Sequence, residues 1–395
     1  MAIFFILLLL LPELYVWHEY VRPLHWSLGV AYWLPLVAAV VLMVMVQTHH
    51  YQAWMFRWSL TLILLFVIPQ LLFALFAIVG HVLGWGGHAA GVPAVSVMGM
   101  KLGARTVFSA IGAAVGVLSL VIVFYGLFFG WRKMTVRNID LEYADLPAAF
   151  DGYRIVHLSD LHIGTYHHAP EVVDSMVSMV NGIDADLVVF TGDLVNVTPE
   201  ELDPFMNVLP AMKARDGVYS IMGNHDYCSY RRYDSQQQHA ATIADLQQRE
   251  RKLGWHLLLN DNAVIRRAND SILVAGVENS SRPPFPDYGD LTKTFTPKAP
   301  ATGLPAFKVL LSHDPTHWRR AVLSDTDAQL QLSGHTHATQ FKLFGWSPSQ
   351  HVYDEWGGLY REGSRVLNVS TGTGGNLPFR FGAWPEIVVI TLHRK

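Results

Sequence analysis

Charged side chains are scarce in this chain, and the shortage is confined to its N-terminal part. Asp, Glu, Lys and Arg make up 15% of the 395 residues, whereas about 25% is usual for soluble proteins. The stretch 1–130 contains only Glu13, Glu19, Arg22, Arg57, Lys101 and Arg105. From Trp131 onward the composition is ordinary. We therefore predict a membrane domain over residues 1–131 and a water-soluble domain over residues 132–395.

Cysteine is nearly absent as well, since the chain has only Cys228. A single thiol excludes an internal disulfide framework and a cysteine-rich zinc module. The formal net charge is -3 at pH 7, whereas proteins that bind nucleic acid usually present basic surfaces to the phosphate backbone. The charge balance therefore argues against nucleic acid as a main partner.

Long apolar runs fill the N-terminal part. A helix that spans a membrane needs about 20 mostly apolar residues. Three runs meet this length, and they cover residues 26–46, 58–83 and 107–129. A fourth run, residues 2–17, is shorter and contains Pro12 and Glu13. A signal peptide is the alternative for this run, but it lacks a basic start and a clear cleavage site. We predict an α-helical transmembrane bundle of about four helices.

Basic residues beside these runs predict the orientation, because cytoplasmic loops are enriched in Lys and Arg. The side that carries the C-terminal domain has Arg57, Arg132, Lys133 and Arg137, and the other side has Arg22, Lys101 and Arg105. This excess favours a multi-pass protein of the cell membrane with a cytoplasmic C-terminal domain. The helices could serve only as an anchor, or they could handle lipid with the loop 84–101 at the interface.

Residues of metal-binding type follow predicted strands in the C-terminal domain. A β-rich run that starts at Tyr153 leads into Asp160 and His162, and the apolar run 186–190 leads into Asp193. Side chains two positions apart on an extended chain point to the same side. The carboxyl ends of buried strands are also where α/β sheets place their sites.

The same pattern recurs further along the chain. Residues 217–222 lead into Asn224, His225 and Asp226, residues 307–311 lead into His313, and residues 328–332 lead into His335 and His337. Each of these residues has a structural alternative when taken singly: Asp193 could cap a helix, Asn224 could occupy a turn, and His313 could pack in a core. Their repeated position at strand ends indicates one shared site.

The order Asp-x-His, Gly-Asp, Gly-Asn-His-Asp, His, Gly-His-x-His resembles the calcineurin-like metallophosphoesterase superfamily, and the resemblance covers residues 138–392. It is similar in particular to the membrane-anchored branch of that superfamily. The resemblance implies an α/β domain built as a four-layer αββα sandwich with a two-metal centre. One ion would be held by Asp160, His162 and His337, the other by Asn224, His313 and His335, and both by Asp193.

The resemblance also implies roles for residues near the metals. Nitrogen and oxygen ligands without thiolates suit two divalent ions, with Mn expected and Fe or Zn as alternatives. His225 would donate a hydrogen bond or a proton to the phosphate or the leaving oxygen, and Asp226 would orient it. Apart from the resemblance, the position of Arg380 after a Gly-rich turn suggests that its guanidinium grips a substrate phosphate in bidentate fashion, with a structural ion pair as the alternative.

Two positions depart from the pattern of the superfamily. Close relatives usually continue the last motif with Gly-Gly-Gln, whereas this chain has Ala338, Thr339 and Gln340. Side chains therefore stand where bare backbone is expected, which puts the local shape of the pocket wall in question. Asn196 also replaces a common Asp. Neither change removes an expected metal ligand.

These observations lead to a specific functional hypothesis. We expect a membrane-anchored metal-dependent phosphohydrolase that cleaves a phosphoester or pyrophosphate bond, with membrane lipids as partners and a lipid or lipid-linked substrate. Four helices exceed what an anchor needs, and the loop 280–302, with Phe285 and Phe295, could form an apolar lip over the site. The alternatives are a non-enzymatic membrane sensor or binding protein, and a nuclease or nucleotide phosphodiesterase.

Overall fold

A computed structural model describes residues 10–47, 53–89, 95–97, 100–298 and 303–395. The chain divides into two compact units, Met1–Gly126 and Leu127–Lys395. Parts of three sequence predictions lie outside the described residues. These parts are residues 2–9 of the first predicted span, residues 90–94 and 98–99 of the loop 84–101, and residues 299–302 of the loop 280–302.

The first unit is mainly helical. Its helices are α1 (Leu28–Gln47), α2 (Ala53–Leu62), α3 (Ile68–Ala89) and α4 (Ala104–Phe128). The π-helical turn Ile63–Val67 joins α2 to α3, another π-helical turn covers Trp17–Val21, and strands β1 (Val95–Val97) and β2 (Met100–Leu102) form a short antiparallel pair. Among the described residues, three helices are long and apolar enough to cross a membrane, and they cover Leu28–Val46, Ala53–Gly86 and Ala104–Arg132. The three longer predicted spans are thus confirmed as helices.

The second unit contains two six-stranded sheets. Its strands are β3 (Thr135–Tyr143), β4 (Tyr153–Leu158), β5 (Leu187–Phe190), β6 (Val218–Ser220), β7 (His256–Leu257), β8 (Asp261–Arg267), β9 (Asp270–Gly276), β10 (Lys308–Leu311), β11 (Leu330–Ser333), β12 (Gly358–Glu362), β13 (Arg365–Val369) and β14 (Glu386–Arg394). The first sheet has the order β3-β14-β4-β5-β6-β7, and the second has the order β12-β13-β11-β10-β9-β8. The strands at the centre of each sheet are mostly parallel.

Helices cover the outer faces of this pair of sheets. They include α5 (Pro170–Gly182), α6 (Gln236–Lys252), α7 (Leu291–Thr294) and α8 (Leu323–Asp325), with a π-helical turn at Trp318–Val322. Short 3-10 helices cover Gly130–Arg132, Ala148–Phe150, Ile163–Tyr166, Pro199–Phe205, Leu209–Ala211, His225–Tyr227, His337–Gln340 and Pro348–His351. Pro at the first position of α5 and the Ser235 side chain, which accepts from the Gln238 amide before α6, suit helix starts.

Three hydrophobic clusters show how the layers pack. One cluster joins the facing sides of the two sheets, for example Ile155 and Val189 with Val274 and Leu311. A second cluster packs the other face of the first sheet against α5, and a third packs the other face of the second sheet against Trp318. The predicted αββα layering is therefore confirmed. The burial of both faces explains why every residue of β5 and β10 is buried and why these strands are apolar apart from Lys308.

Candidate metal centre

The carboxyl ends of five strands carry the predicted ligands. In the first sheet, Asp160 and His162 follow β4, Asp193 follows β5 and Asn224 follows β6. In the second sheet, His313 follows β10, and His335 and His337 follow β11. The sheets face each other across the inner core, so these ends meet at one edge of the sandwich. The structure brings all seven predicted ligands together there.

One group of ligand atoms, which we call the first half-site, consists of Asp160, His162, Asp193 and His337. Its nitrogen and carboxylate atoms all lie within 4.8 Å of one another. The Nε2 atoms of His162 and His337 are 3.2 Å apart. The Nε2 atom of His162 is 3.5 Å from Asp193 Oδ2, and that of His337 is 3.4 Å from Asp160 Oδ1. Within the described part of the chain, the Nδ1 atoms of both rings have no hydrogen-bond partner.

The other group, the second half-site, consists of Asp193, Asn224, His313 and His335. The Nε2 atom of His313 is 3.3 Å from Asp193 Oδ2 and 3.2 Å from Asn224 Oδ1. The same Asn224 oxygen is 2.8 Å from His335 Nδ1. The Nδ1 atom of His313 lies 2.7 Å from the Thr191 carbonyl oxygen, which fixes the ring with Nε2 toward the other ligands. Asp193 Oδ2 is therefore shared by both half-sites.

These separations fit metal coordination. Ligand nitrogens and oxygens lie about 2.0–2.2 Å from an ion such as Zn²⁺, which places neighbouring ligands of one ion about 3 Å apart. In the two half-sites the neighbouring acceptor atoms are 2.8–3.5 Å apart. Lone pairs this close repel one another unless a proton or a cation lies between them. The donor set, without any thiolate, thus suits two divalent cations.

The electrostatics of the site also favour bound cations. Burial alone would raise the pKa of Asp193, but His313, His225 and His162 together outweigh it and hold that pKa well below its usual range. Although burial opposes it, the Asp193 carboxylate raises the pKa of His313 to about 10. Burial lowers the pKa of His335 to about 4 and that of His162 well below its ordinary value. Neutral imidazoles are the form that binds metals, so among these rings His313 must release a proton. Burial also raises the pKa of Asp160 to about 7, so this carboxyl must lose its proton as well.

His225 lies beside the first half-site, half-buried. Its Nδ1 atom is 2.6 Å from the Asn196 carbonyl oxygen, and its Nε2 atom is 3.4 Å from Asn376 Nδ2. Its ring meets that of His162 edge to face at 4.6 Å and stacks on Tyr230 at 4.2 Å. Because Nδ1–H donates to the carbonyl, Nε2 is the atom that remains to exchange a proton.

Asp226 does not orient His225, contrary to the prediction. Its carboxylate accepts hydrogen bonds from the backbone amides of Asp193, at 2.7 Å, and Gly223, at 2.8 Å. It also accepts from the amides of Leu194 and Val195. Because four backbone amides occupy its two carboxylate oxygens, Asp226 stabilises the loop that carries Asp193. The Asn196 carbonyl orients His225 instead.

Arg380 is also placed differently from the prediction. The residue is 1% exposed, and its guanidinium donates to the carbonyl oxygens of Gly374, Ala383 and Thr371. A guanidinium engaged by three backbone carbonyls cannot also present a bidentate fork to a phosphate. This contradicts the predicted phosphate grip. The alternative of a structural ion pair is wrong as well, because the acceptors are carbonyls rather than carboxylates.

Residues that the sequence reasoning missed surround the second half-site. The Tyr353 hydroxyl is 3.1 Å from His335 Nε2, and the Tyr230 hydroxyl accepts from Asn224 Nδ2 at 2.8 Å. The predicted apolar lip is half right: Phe285 meets the His335 ring at 4.8 Å, whereas Phe295 packs on the outer cluster of the second sheet. No motif marks the two tyrosines, whose positions depend on how their loops return to the site.

The backbone of the site is strained. Five predicted ligands have positive φ, and they are Asp160 (53°), His162 (45°), Asp193 (59°), His335 (73°) and His337 (51°). Ala338, Thr339 and Gln340, where relatives usually have Gly-Gly-Gln, also have positive φ of 48°, 49° and 58°. Non-glycine residues rarely adopt this conformation, and it occurs mainly at functional sites. The substituted positions therefore keep the backbone path that glycine would allow, at a cost in strain.

Known families match both units of the chain. Residues 153–339 match the family described as Calcineurin-like phosphoesterase. Residues 1–131 match the family described as Probable Calcineurin-like phosphoesterase, transmembrane domain.

Curated proteins that are similar to this chain include the following three. The uncharacterized metallophosphoesterase YkuE of Bacillus subtilis is 32% identical over 258 residues, which cover 62% of this chain and 81% of YkuE. The transmembrane protein with metallophosphoesterase domain of Danio rerio is 30% identical over 288 residues, which cover 70% of this chain but only 61% of the zebrafish protein. The UDP-2,3-diacylglucosamine pyrophosphatase LpxG of Chlamydia trachomatis is 28% identical over 301 residues, which cover 62% of this chain and 86% of LpxG.

Proposed function

This chain belongs to the calcineurin-like phosphoesterase family, and on that premise we propose that it hydrolyses a pyrophosphate or phosphoester bond in a lipid or lipid-linked substrate with two divalent metal ions. The observation that carries the proposal is the position of Asp193 Oδ2, which lies 3.5 Å from His162 Nε2 and 3.3 Å from His313 Nε2. One carboxylate oxygen that joins two sets of convergent ligand atoms is the arrangement that a two-metal site needs.

Each side chain of the site has a role in this proposal. Asp160, His162 and His337 would hold one ion, Asn224, His313 and His335 would hold the other, and Asp193 would contribute to both. Two divalent cations bound there supply Lewis-acid activation of water and neutralise charge on the phosphoryl oxygens. We favour Mn²⁺, with Fe or Zn as alternatives, because the ligands are imidazole, carboxylate and amide groups.

His225 supplies the proton chemistry. The Asn196 carbonyl, 2.6 Å from Nδ1, fixes the tautomer. When the ring takes up a second proton at Nε2, His225 donates a hydrogen bond to the phosphate and transfers that proton to the leaving oxygen, which leaves the ring neutral with its proton on Nδ1. The stacked Tyr230 ring, 4.2 Å away, holds the imidazole in this orientation.

Two observations support a lipid substrate. In the part of the chain that the structure describes, three helices are able to cross a membrane, and β3 begins at Thr135, shortly after the one that ends at Arg132. A similar protein is named a UDP-2,3-diacylglucosamine pyrophosphatase, which acts on a lipid-linked pyrophosphate. Catalysis on such a substrate explains why a hydrolase would carry more helices than an anchor needs.

We propose that the Arg282 side chain binds the second phosphate of a pyrophosphate substrate. It is exposed and, within the described part of the chain, forms no ion pair. Burial raises the pKa of Tyr353 to about 12, and the nearby charge of Arg282 opposes this rise. Tyr353 contacts His335, and Phe285, three positions after Arg282, packs against the same ring, which supports a position of the guanidinium at the rim of the second half-site.

A panel of substrates tests the function. Full-length protein in lipid nanodiscs with Mn²⁺ is assayed with p-nitrophenyl phosphate, bis(p-nitrophenyl) phosphate, a water-soluble UDP-sugar, UDP-diacylglucosamine and single-stranded DNA. We expect the highest kcat/KM for the lipid-linked pyrophosphate. Equal or higher kcat/KM for the soluble nucleotide or for DNA would contradict the lipid assignment, and no turnover of any substrate would favour a sensor or binding protein.

The same panel tests Arg282. Arg282→Ala should raise KM for UDP-diacylglucosamine about tenfold, the loss of one charge-assisted contact, and should leave bis(p-nitrophenyl) phosphate unaffected because that diester has only one phosphate. Arg266→Ala is the matched control, since Arg266 is exposed on β8 and pairs with Ser271, near the start of β9 and away from the site. Equal effects of Arg282→Ala on both substrates would contradict this role.

We also propose that the C-terminal domain lies in the cytoplasm. Arg132, Lys133 and Arg137 beside the last span motivate this side. Alkaline phosphatase and green fluorescent protein are fused separately to the C-terminus, and we expect fluorescence without phosphatase activity. Strong phosphatase activity without fluorescence would place the domain on the other side.

A further inference from the structure

A tight turn projects from the segment that follows the last metal ligands. After His337 the chain makes a 3-10 helix to Gln340, and then Leu343 and Trp346 exchange two backbone hydrogen bonds of 2.8 and 2.9 Å. The two residues between them, Phe344 and Gly345, have φ of 49° and 86°. Positive φ at both central positions is typical of a type I′ hairpin turn. The tip is therefore an ordered hairpin with Phe344 at its end.

The base of this hairpin is fixed to the rest of the domain. The Lys342 amide donates to the Phe381 carbonyl oxygen at 2.7 Å, and the rings of Phe341 and Phe381 stack at 6.0 Å. The segment leaves the metal centre at His337 and returns to it at Tyr353, whose hydroxyl is 3.1 Å from His335 Nε2. The hairpin and the metal centre thus belong to one continuous loop.

Large apolar side chains are exposed on this segment. Phe344 is 100% exposed, Val352 67% and Trp346 43%, and we call these three residues the apolar tip. The residues 341–353 contain one Lys, one His and no acidic residue. Most other large apolar side chains of the second unit are buried, so a fully exposed Phe beside an exposed Trp is unusual here and marks a contact surface.

The residue types on this surface indicate which kind of partner it binds. Trp and Phe with a basic residue and without carboxylates are typical of segments that lie in the headgroup region of a bilayer. The same chain has helices that are long and apolar enough to cross a membrane, so a bilayer is available as a partner. Lys342 and His351 beside the tip suit anionic headgroups.

We propose that the apolar tip docks into the headgroup region of a lipid bilayer and thereby brings the metal-centre loop to the lipid surface. The consequence for turnover rests on the proposed function, since docking would help only if the substrate lies in the membrane. The docking itself does not require the reaction.

A single fluorescent label tests docking directly. Cys228 is the sole cysteine and is buried, so Phe344→Cys provides one reactive thiol for an NBD label on the full-length protein. In nanodiscs of phosphatidylethanolamine and phosphatidylglycerol, we expect a blue-shifted emission that is quenched by lipids with a shallow doxyl group. The matched control is Val264→Cys, at an exposed apolar position on β8, and its label should show neither change.

Other partners give different outcomes. If the label at position 344 is insensitive to doxyl lipids, the proposal is overturned. If its emission instead depolarises by energy transfer between labelled chains without doxyl quenching, the surface binds a second copy of the chain, and the proposal is likewise overturned.

Kinetics test the consequence for turnover. A Phe344→Ser, Trp346→Ser double variant should raise KM for UDP-diacylglucosamine in nanodiscs about tenfold, the expected loss when a large apolar side chain is no longer buried. Its kcat and KM for bis(p-nitrophenyl) phosphate should not change. If no lipid substrate is hydrolysed by the wild type while the label is quenched, the proposed substrate fails and docking stands. An unchanged KM for a hydrolysed lipid substrate would overturn the link between docking and turnover.

Discussion

The two half-sites share Asp193 but differ in what surrounds them. Behind the first half-site lies backbone: the Gly374 amide donates to the Asp160 carbonyl oxygen at 2.8 Å, and Arg380 in turn holds this Gly-rich turn. Around the second half-site lie side chains from separate loops, with Tyr353 on His335 and Phe285 against the same ring.

This difference predicts which property a mutation near each half-site should change. The first half-site is positioned by packed backbone, so changes behind it should affect folding. The second half-site is oriented by side chains that reach it from loops, so changes there should affect the binding of one ion and of substrate. Asp193 belongs to both half-sites, and its removal should affect both ions at once.

The largest effect is expected for Asp193→Asn. The amide keeps the size of the side chain but replaces Oδ2, the oxygen that both half-sites share, by a weaker ligand or an NH₂ group. Bound metal should fall and turnover should drop to background. Elemental analysis and kinetics check this, with Asp174→Asn on the exposed side of α5 as the control. Full metal content with normal turnover in the Asp193 variant would refute the bridging role.

The next largest effect is expected for His225→Ala. Turnover should fall about 10²–10⁴-fold, the usual contribution of a general acid, while both ions stay bound, because His225 is not one of the convergent ligands. Metal analysis and kcat measured on the same sample separate the two effects. A loss of metal equal to that of the Asp193 variant would show that His225 acts through metal binding.

Arg380→Met should destabilise the domain rather than weaken substrate binding. The change leaves the carbonyl oxygens of Thr371, Gly374 and Ala383 without their buried donor, and such groups cost about 1–3 kcal/mol each. Thermal unfolding should show a clear loss of stability, and KM of the remaining folded protein should not change. Unchanged stability with a raised KM would restore the phosphate-gripping role of Arg380.

The smallest effect is expected for Tyr353→Phe. Removing the hydroxyl 3.1 Å from His335 Nε2 should weaken binding of one of the two ions by about tenfold, as loss of a partner of a metal ligand usually does. Titration with Mn²⁺ followed by calorimetry checks this. Tyr219→Phe, on β6 beside His256, is the control. Equal weakening of both ions would contradict the separation of the half-sites.

The convergence of the candidate ligands could be predicted because their positions depend on local features, whereas their assignment to two metal ions came from the resemblance. Each follows a strand that the apolar runs indicate, and parallel strands bring their carboxyl ends to one edge. The long spans were predictable for a similar reason, since apolar length alone indicates them. The layer order, in contrast, came from the resemblance rather than from the residues.

The surrounding residues could not be predicted, because their contacts depend on tertiary packing. The sequence places Arg380 shortly after the Gly-rich turn that follows β13. Whether its guanidinium faces substrate or backbone depends on how residues 371–383 fold around it. Asp226 follows His225 directly, yet it turns toward the amides of the Asp193 loop. Adjacency in sequence therefore indicated the neighbourhood of these side chains but not their partners.

One titration tests the two-metal account most directly. Metal-free, full-length protein is titrated with Mn²⁺ while hydrolysis of bis(p-nitrophenyl) phosphate is followed. Because Asp193 joins two separate sets of ligands, we predict that activity rises until two equivalents of Mn²⁺ per chain are bound and then stays constant. A plateau at one equivalent, or full turnover without added metal in the presence of a chelator, would contradict the account.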